Sequence, residues 1–255
     1  MALDSKAGYR YNRGVTSALL WDGVAAERSV PMDRFAQRIQ SLRIEKVMQA
    51  LEKNNMKAFF VGRRSEVPEK VAALLPEGGT VCVGGSMTLF ECGVMDLLRS
   101  GRYRFLDRYA PGLSREQIED IYREAFRADA YLCSTNAVTE KGELYNVDGN
   151  SNRVAAMLYG PRSVIVVAGC QKIVRDIDEA VQRVKRIAAP ANCLRLSIDT
   201  YCAAKGECVS CGGAAGSMAE GCRVANRPCC NYVVMAQQRV KDRVKVILVG
   251  EPAGY

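Results

Sequence analysis

The chain has 255 residues, 48 % of them hydrophobic and 25 % charged, with a net charge of +8. Those values exclude a disordered chain, and a domain of this length can bury roughly 70–75 % of its unfolded surface without staples. Histidine is absent. That excludes Ser-His-Asp and Cys-His catalytic units and every histidine-containing metal site, and leaves acid–base work to Asp, Glu, Lys, Tyr or Cys.

Residues 1–32 lack a clear hydrophobic period and read as an N-terminal arm, packed on the body or on a second subunit; the arm is consistent with a homodimer. Residues 33–255 read as a single α/β domain. From Pro31 a helix is expected, because Leu42, Ile44, Val47, Met48 and Leu51 recur at helical spacing before Asn54 and Asn55 end the run. Short apolar runs then alternate with helical patterns. Strands are expected at 57–61, 80–83, 103–106, 129–133 and 163–167. Helices are expected at 66–75, 86–99 and 114–126, the last capped by Ser114. A further helix is marked by Ile177, Val181, Val184 and Ile187. Alternation of this kind predicts a mainly parallel sheet covered by helices on both faces. A small hairpin is expected around Lys141-Gly142. Residues 232–237 and 244–249 read as a C-terminal β-hairpin joined by a charged turn.

Three constellations carry chemistry. In the first, the strand 80–83 runs into Gly84-Gly85-Ser86 and a helix start bearing Thr88. Glycines let the backbone approach a ligand closely, and free amides at a helix start favour an anion. In open parallel sheets ligands lie at the carboxyl ends of strands, where this turn falls. The bland alternative is a tight turn with a Ser86 cap.

The second is the polar block 134–153, which follows a buried strand and precedes a helix. Asn136, Thr139, Glu140, Asp148, Asn150, Ser151, Asn152 and Arg153 lie in it and are expected to converge near the glycine turn. Glu140 or Asp148 is the candidate general base. Lys141 or Arg153 is the candidate anion clamp. The alternative is a hairpin with Asx turns.

The third is the cysteine-rich excursion at 202–230. Cys202, Cys208 and Cys211 are followed by Cys222, Cys229 and Cys230. A C-x2-C pair lets two thiolates reach one metal, and an all-thiolate shell suits zinc or an iron–sulfur cluster equally. Further cysteines of the segment can complete such a shell. Unliganded thiols in a glycine-rich loop are the alternative. No nucleotide-cofactor fingerprint is evident.

Lys and Arg are scattered and usually sit beside an acid, as in Arg115-Glu116 and Arg175-Asp176. A solvated basic surface with a preference for anionic small molecules is therefore expected, and no nucleic-acid partner. No stretch approaches the roughly 18 apolar residues of a membrane span. The run at 15–21 is too short and broken for a secretory core. The expectation is a cytoplasmic protein without membrane insertion. In such a compartment the eleven cysteines do not read as a disulfide framework.

Taken together, three blocks resemble the LUD family, named for lactate utilisation: Val83-Gly-Gly-Ser-Met-Thr-Leu, Ala130-Tyr-Leu-Cys-Ser-Thr-Asn-Ala-Val-Thr-Glu-Lys-Gly-Glu-Leu and Val147-Asp-Gly-Asn-Ser-Asn-Arg-Val-Ala-Ala-Met-Leu-Tyr-Gly-Pro. The likeness runs from about residue 38 to residue 250 and fits the short type, similar to lactate-utilisation protein C, with a cysteine-rich C-terminal segment; the resemblance implies Cys202, Cys208, Cys211 and Cys229 as metal ligands, with Cys222 and Cys230 as alternatives to the last. It implies a fold like the ribose-phosphate isomerase and CoA-transferase group, in a bacterial or archaeal setting. It implies an accessory or ligand-binding role in oxidation of lactate or related organic acids, with a ferredoxin-like oxidoreductase subunit as partner. Two other roles stay open: an isomerase- or transferase-like enzyme on a carboxylate or sugar phosphate, and a metal-dependent, redox-linked protein using the 202–230 cysteines.

Overall fold

A computed structural model describes residues 33–212 and 218–255. By contact the chain divides into residues 1–37 and 38–255. The expected arm at 1–32 lies outside the described residues. In the first unit, Asp33 accepts from the amides of Phe35 and Ala36 and so starts a helix.

The elements in chain order are α1 (Arg34–Lys53), β1 (Lys57–Val61), α2 (Val67–Ala72), β2 (Thr80–Val83), α3 (Met87–Glu91), α4 (Val94–Arg99) and β3 (Arg104–Leu106). Then come α5 (Arg115–Glu124), β4 (Ala130–Cys133), β5 (Ala137–Thr139), β6 (Leu144–Asp148), α6 (Asn152–Tyr159), β7 (Ser163–Gly169) and β8 (Ile173–Val174). They end with α7 (Ile177–Arg183), α8 (Ala189–Arg195), α9 (Tyr201–Lys205), β9 (Asn231–Met235) and β10 (Val244–Val249). Among the described residues no helix is long and apolar enough to cross a membrane.

Six strands form a wholly parallel sheet in the order β1-β10-β7-β4-β2-β3. Strand residues alternate between two cores, as the two-residue period requires. Val164, Val166 and Ala168 of β7 join Ile44, Val47 and Leu51 of α1 and Ala156 and Met157 of α6. Ile165 and Val167 join Val67 and Val71 of α2, Leu89 of α3 and Leu98 of α4. The sheet is thus covered on both faces, as the alternating pattern predicted.

Two local expectations change. The helix expected over 86–99 is broken, because Gly93 adopts φ 69° and starts α4 anew. The two C-terminal strands exist, but they do not pair with each other. β9 runs antiparallel to β6 in a second sheet, ordered β8-β5-β6-β9, whereas β10 lies between β1 and β7. The physical reason lies in their burial: Ile247, Leu248 and Val249 of β10 are all fully buried, a both-faces-covered pattern that suits the centre of a parallel sheet. The Lys141-Gly142 hairpin forms as expected from β5 and β6.

Candidate functional site

The neighbouring strands β7, β4 and β2 deliver three short segments to one end of the sheet: Lys172 just after β7, Ser134 after β4, and Gly84-Gly85 after β2. Such carboxyl ends are where open parallel sheets hold ligands. Gly84 donates to the carbonyl of Leu132 at 2.9 Å, which ties the turn to β4. A Cβ on Gly84 would stand 3.0 Å from the Tyr131 hydroxyl and 3.2 Å from the Arg153 stem. Glycine is therefore required there by close approach. Gly85 is exposed, and a Cβ on it would meet Tyr109 Oη and Arg108 Nη1 at 3.7 and 3.8 Å. The Ser86 hydroxyl caps α3 by accepting from Leu89 N, so the cap reading of that residue holds. Arg108 stacks on the rings of Tyr109 and Tyr122, and its buried Nε has no hydrogen-bond partner.

Arg153 reaches from α6 into the same region. It donates to the carbonyls of Ser134 (3.0 Å) and Val147 (2.8 Å) and to the side-chain oxygens of Asn146 (2.5 Å) and Asn136 (3.2 Å). Its Nε lies 3.3 Å from the Asp148 carboxylate. Asn146 is fully buried, and its amide NH2 has no partner. Flipping that amide would turn the donor onto Arg153, so the unpaired donor is a feature of the site.

Lys172 was not singled out from the sequence. It is 2 % exposed, and its ammonium lies 2.8 Å from Thr88 Oγ1 and 2.9 Å from Ser134 Oγ. Burial, with Arg183 and Arg153 nearby, pushes its pKa down to about 7. Arg183, itself buried, donates to the carbonyls of Asn136 and Gln171. Among the described residues neither Lys172 nor Arg183 forms an ion pair; Arg153 pairs with Asp148, and the Glu91 carboxylate acts on Lys172 from nearby. Residues after β10 lie over it. Thr88 donates to the Ala253 carbonyl, Gln171 donates to the carbonyls of Ala253 and Gly254, and Gly254 N donates to Glu91. Gly254 has φ 61°, and a Cβ there would meet Thr88 Oγ1 at 2.4 Å and Lys172 Nζ at 3.3 Å.

Of the expected site residues, Gly84, Thr88, Asn136, Asp148 and Arg153 meet in this centre. Asp148 is occupied there: it accepts from the amides of Asn150 and Ser151 and pairs with Arg153, so it positions the arginine and leaves no lone carboxylate for a base. Asn150 is exposed, Ser151 adopts φ 64° ahead of α6, and Asn152 opens α6. Glu140, Lys141 and Thr139 belong to the β5–β6 hairpin tip. Glu140 accepts from Arg43 and Lys46 of α1, and these cations hold its carboxyl below the ordinary range. Lys141 is exposed, and Thr139 bonds Glu143 within the hairpin. The structure places Glu140 and Lys141 on a hairpin tip fastened to α1 and to Asn54 just after it.

The cysteine segment closes a small cleft between the second sheet and α7–α9. Cys193, Cys202, Cys208, Cys222 and Cys229 line it, with Tyr145 and Tyr232. Cys202 Sγ lies 3.6 Å from Cys193 Sγ. Burial and the neighbouring thiols push Cys229 up to about 12 and Cys193 to about 11. Cys211 does not line the cleft; its amide closes a turn on Cys208. The all-sulfur donor set suits zinc or an iron–sulfur cluster. Even so, among the described residues no three Cys, Asp or Glu groups stand close enough together to hold one ion.

The LUD domain model matches residues 44–249, a span that includes the glycine turn, Arg153, Lys172 and the cysteine segment. The chain belongs to the LUD domain family. A solved structure described as a DUF162 family protein from Deinococcus radiodurans is similar to this LUD domain at 19 % identity. It covers 84 % of this chain and 98 % of its own, with a TM-score of 0.44. No curated protein matches this chain.

Proposed function

We propose that this LUD domain binds an anionic small molecule, a short carboxylate first among candidates, between Arg108 and Arg153 at the Gly84-Gly85 turn. The observation that carries this reading is the unmatched charge and donors of the site: among the described residues buried Arg183 has no ion pair, and the buried Arg108 Nε and the Asn146 amide have no hydrogen-bond partner. Buried charge without a counter-ion is costly, and a bound anion offsets that cost. Membership of the LUD family supports placing the ligand among organic acids, with the chain as an accessory component beside a ferredoxin-like oxidoreductase subunit.

A thermal-shift series with short carboxylates and sugar phosphates at millimolar concentration tests the binding. Stabilisation of the wild type, reduced in Arg108→Ala, is expected. No shift with any member of the panel overturns the reading. For the accessory role, co-purification from the native host should return an oxidoreductase subunit; recovery of this chain alone overturns it.

A second reading keeps zinc or an iron–sulfur cluster at the cysteine cleft, because five thiols line it. It requires the segment to tighten around an ion. Metal analysis and an absorption spectrum of anaerobically purified protein decide it; absence of both zinc and iron ends it.

A further inference from the structure

We infer that Lys172 is a reacting amine that forms an imine with the carbonyl carbon of a short 2-oxo acid, whose carboxylate is held by the neighbouring arginines. This rests on the anion-binding reading above and names the substrate class.

Three observations carry it. First, Lys172 is buried at the carboxyl end of the central strand β7, in the region of Gly84 and Arg153. A structural buried lysine normally has a carboxylate partner. Lys172 has two hydroxyl groups instead, Thr88 Oγ1 and Ser134 Oγ. Second, its charged neighbours are mostly of its own sign: Arg183 and Arg153 disfavour the ammonium, and Glu91 and Cys92 oppose them more weakly. A desolvated lysine beside other cations is the usual recipe for a neutral, nucleophilic amine at ordinary pH, and its pKa near 7 agrees. Third, Arg153, one of the cations that depress the amine, is also one of the two arginines to which the anion reading assigns the carboxylate. A ligand combining a carboxylate with an adjacent carbonyl meets both demands at once, whereas a simple carboxylate meets one.

The chemistry balances without an added redox partner. The lone pair of Nζ attacks the carbonyl carbon and forms the C–N bond, while one amine proton passes to the carbonyl oxygen. That oxygen then leaves as water with the second amine proton, and the C=N bond forms. The hydroxyls of Thr88 and Ser134 lie within hydrogen-bond reach of Nζ and can relay both protons. The backbone of Ala253 and Gly254 lies over this group, held by Thr88, Gln171 and Glu91. Ligand entry therefore requires that cover to swing aside, and its return would exclude water.

The test is trapping. Full-length protein is incubated with 2-oxobutyrate and sodium borohydride, which delivers hydride to the imine carbon and fixes a secondary amine. The product is digested and mapped by mass spectrometry. One adduct is expected, on the Lys172 peptide, reduced by excess butyrate and absent in Lys172→Arg. Labelling of the wild type spread over exposed lysines, or absent from Lys172, overturns the inference whether or not the variant folds. If butyrate and 2-oxobutyrate stabilise the protein equally while no adduct forms on Lys172, the imine fails and the anion site stands. If neither ligand stabilises the protein, the anion reading fails with it.

Discussion

Lys172 Nζ lies 2.9 Å from Ser134 Oγ, and the two residues arrive there from neighbouring parallel strands, β7 and β4. The contact joins a buried cation to a neutral hydroxyl where a carboxylate would normally stand. Its consequence for stability has a definite sign. The folded-state pKa is pushed from 10.5 down to about 7. Between those values the unfolded chain retains a proton that the folded chain has lost, so stability rises with pH.

The buried thiols of Cys82, Cys133 and Cys229 are pushed upward and act in the opposite direction above their ordinary value of 9.0. The interval from about pH 7 to about pH 9 therefore isolates the lysine, with a slope approaching about 1.4 kcal/mol per pH unit. Urea unfolding across this interval should show a rising midpoint in the wild type and a flat one in Lys172→Met. Equal slopes would show that Lys172 titrates normally.

Arg153 makes four hydrogen bonds to oxygen and one ion pair within the centre. Truncating it removes the ion partner of Asp148, leaves the buried Asn146 oxygen without its donor, and frees the carbonyls of Ser134 and Val147. Arg153→Ala should cost about 3–5 kcal/mol in chemical denaturation. Arg153→Lys should recover only part of that, since an ammonium cannot reproduce the planar fork. Full recovery by lysine would reduce the role to charge alone.

The two turn glycines should separate in a stability assay. Gly84→Ala pushes a methyl group against Tyr131 and Arg153 and should cost about 1–3 kcal/mol. Gly85→Ala meets ordinary contact distances and should stay within about 0.5 kcal/mol. Carboxylate binding should weaken in both, in Gly84→Ala because the methyl displaces Arg153 and in Gly85→Ala because it crowds the exposed side of the turn. A Gly85→Ala variant that binds as well as the wild type would move the ligand away from this residue.

Glu140 pairs with Arg43 and Lys46, and its pKa is lowered from 4.5. Its contribution is present above that value and fades as pH falls through the folded-state pKa. The partner cations are exposed, so Glu140→Gln should cost about 0.2–1 kcal/mol at neutral pH and nothing in acid. Ligand-induced stabilisation should be unchanged. Its loss in this variant would return Glu140 to the functional site.

The alternating strands and helices were legible because period-two and period-3.6 patterns are local. Val164, Val166 and Ala168 declare one face of β7 and Ile165 and Val167 the other. The glycine turn and Arg153 were legible as motifs. Strand order was not: β10 pairs with β1 across 188 positions (Lys57 with Lys245) and with β7 across 80 (Val164 with Val244), through backbone bonds that leave no local mark. Lys172 was hidden for the same reason. It is alone in its stretch, and its meaning comes from Thr88 and Ser134, which the fold brings from two other strand ends. The contact of Glu140 with α1 was not legible either, because a carboxylate in a polar loop looks alike whether it faces a ligand or a neighbouring helix.

The position of β10 also governs the order of assembly. The last strand in sequence fills the gap between the first, β1, and β7. Until residues 244–249 leave the ribosome, β1 has no neighbour in the sheet and β7 offers a bare apolar edge of Val164, Ile165, Val166 and Val167. Such an edge invites pairing with another chain. The protein's folding yield during synthesis therefore depends on how soon its own C-terminal segment arrives to close that slot.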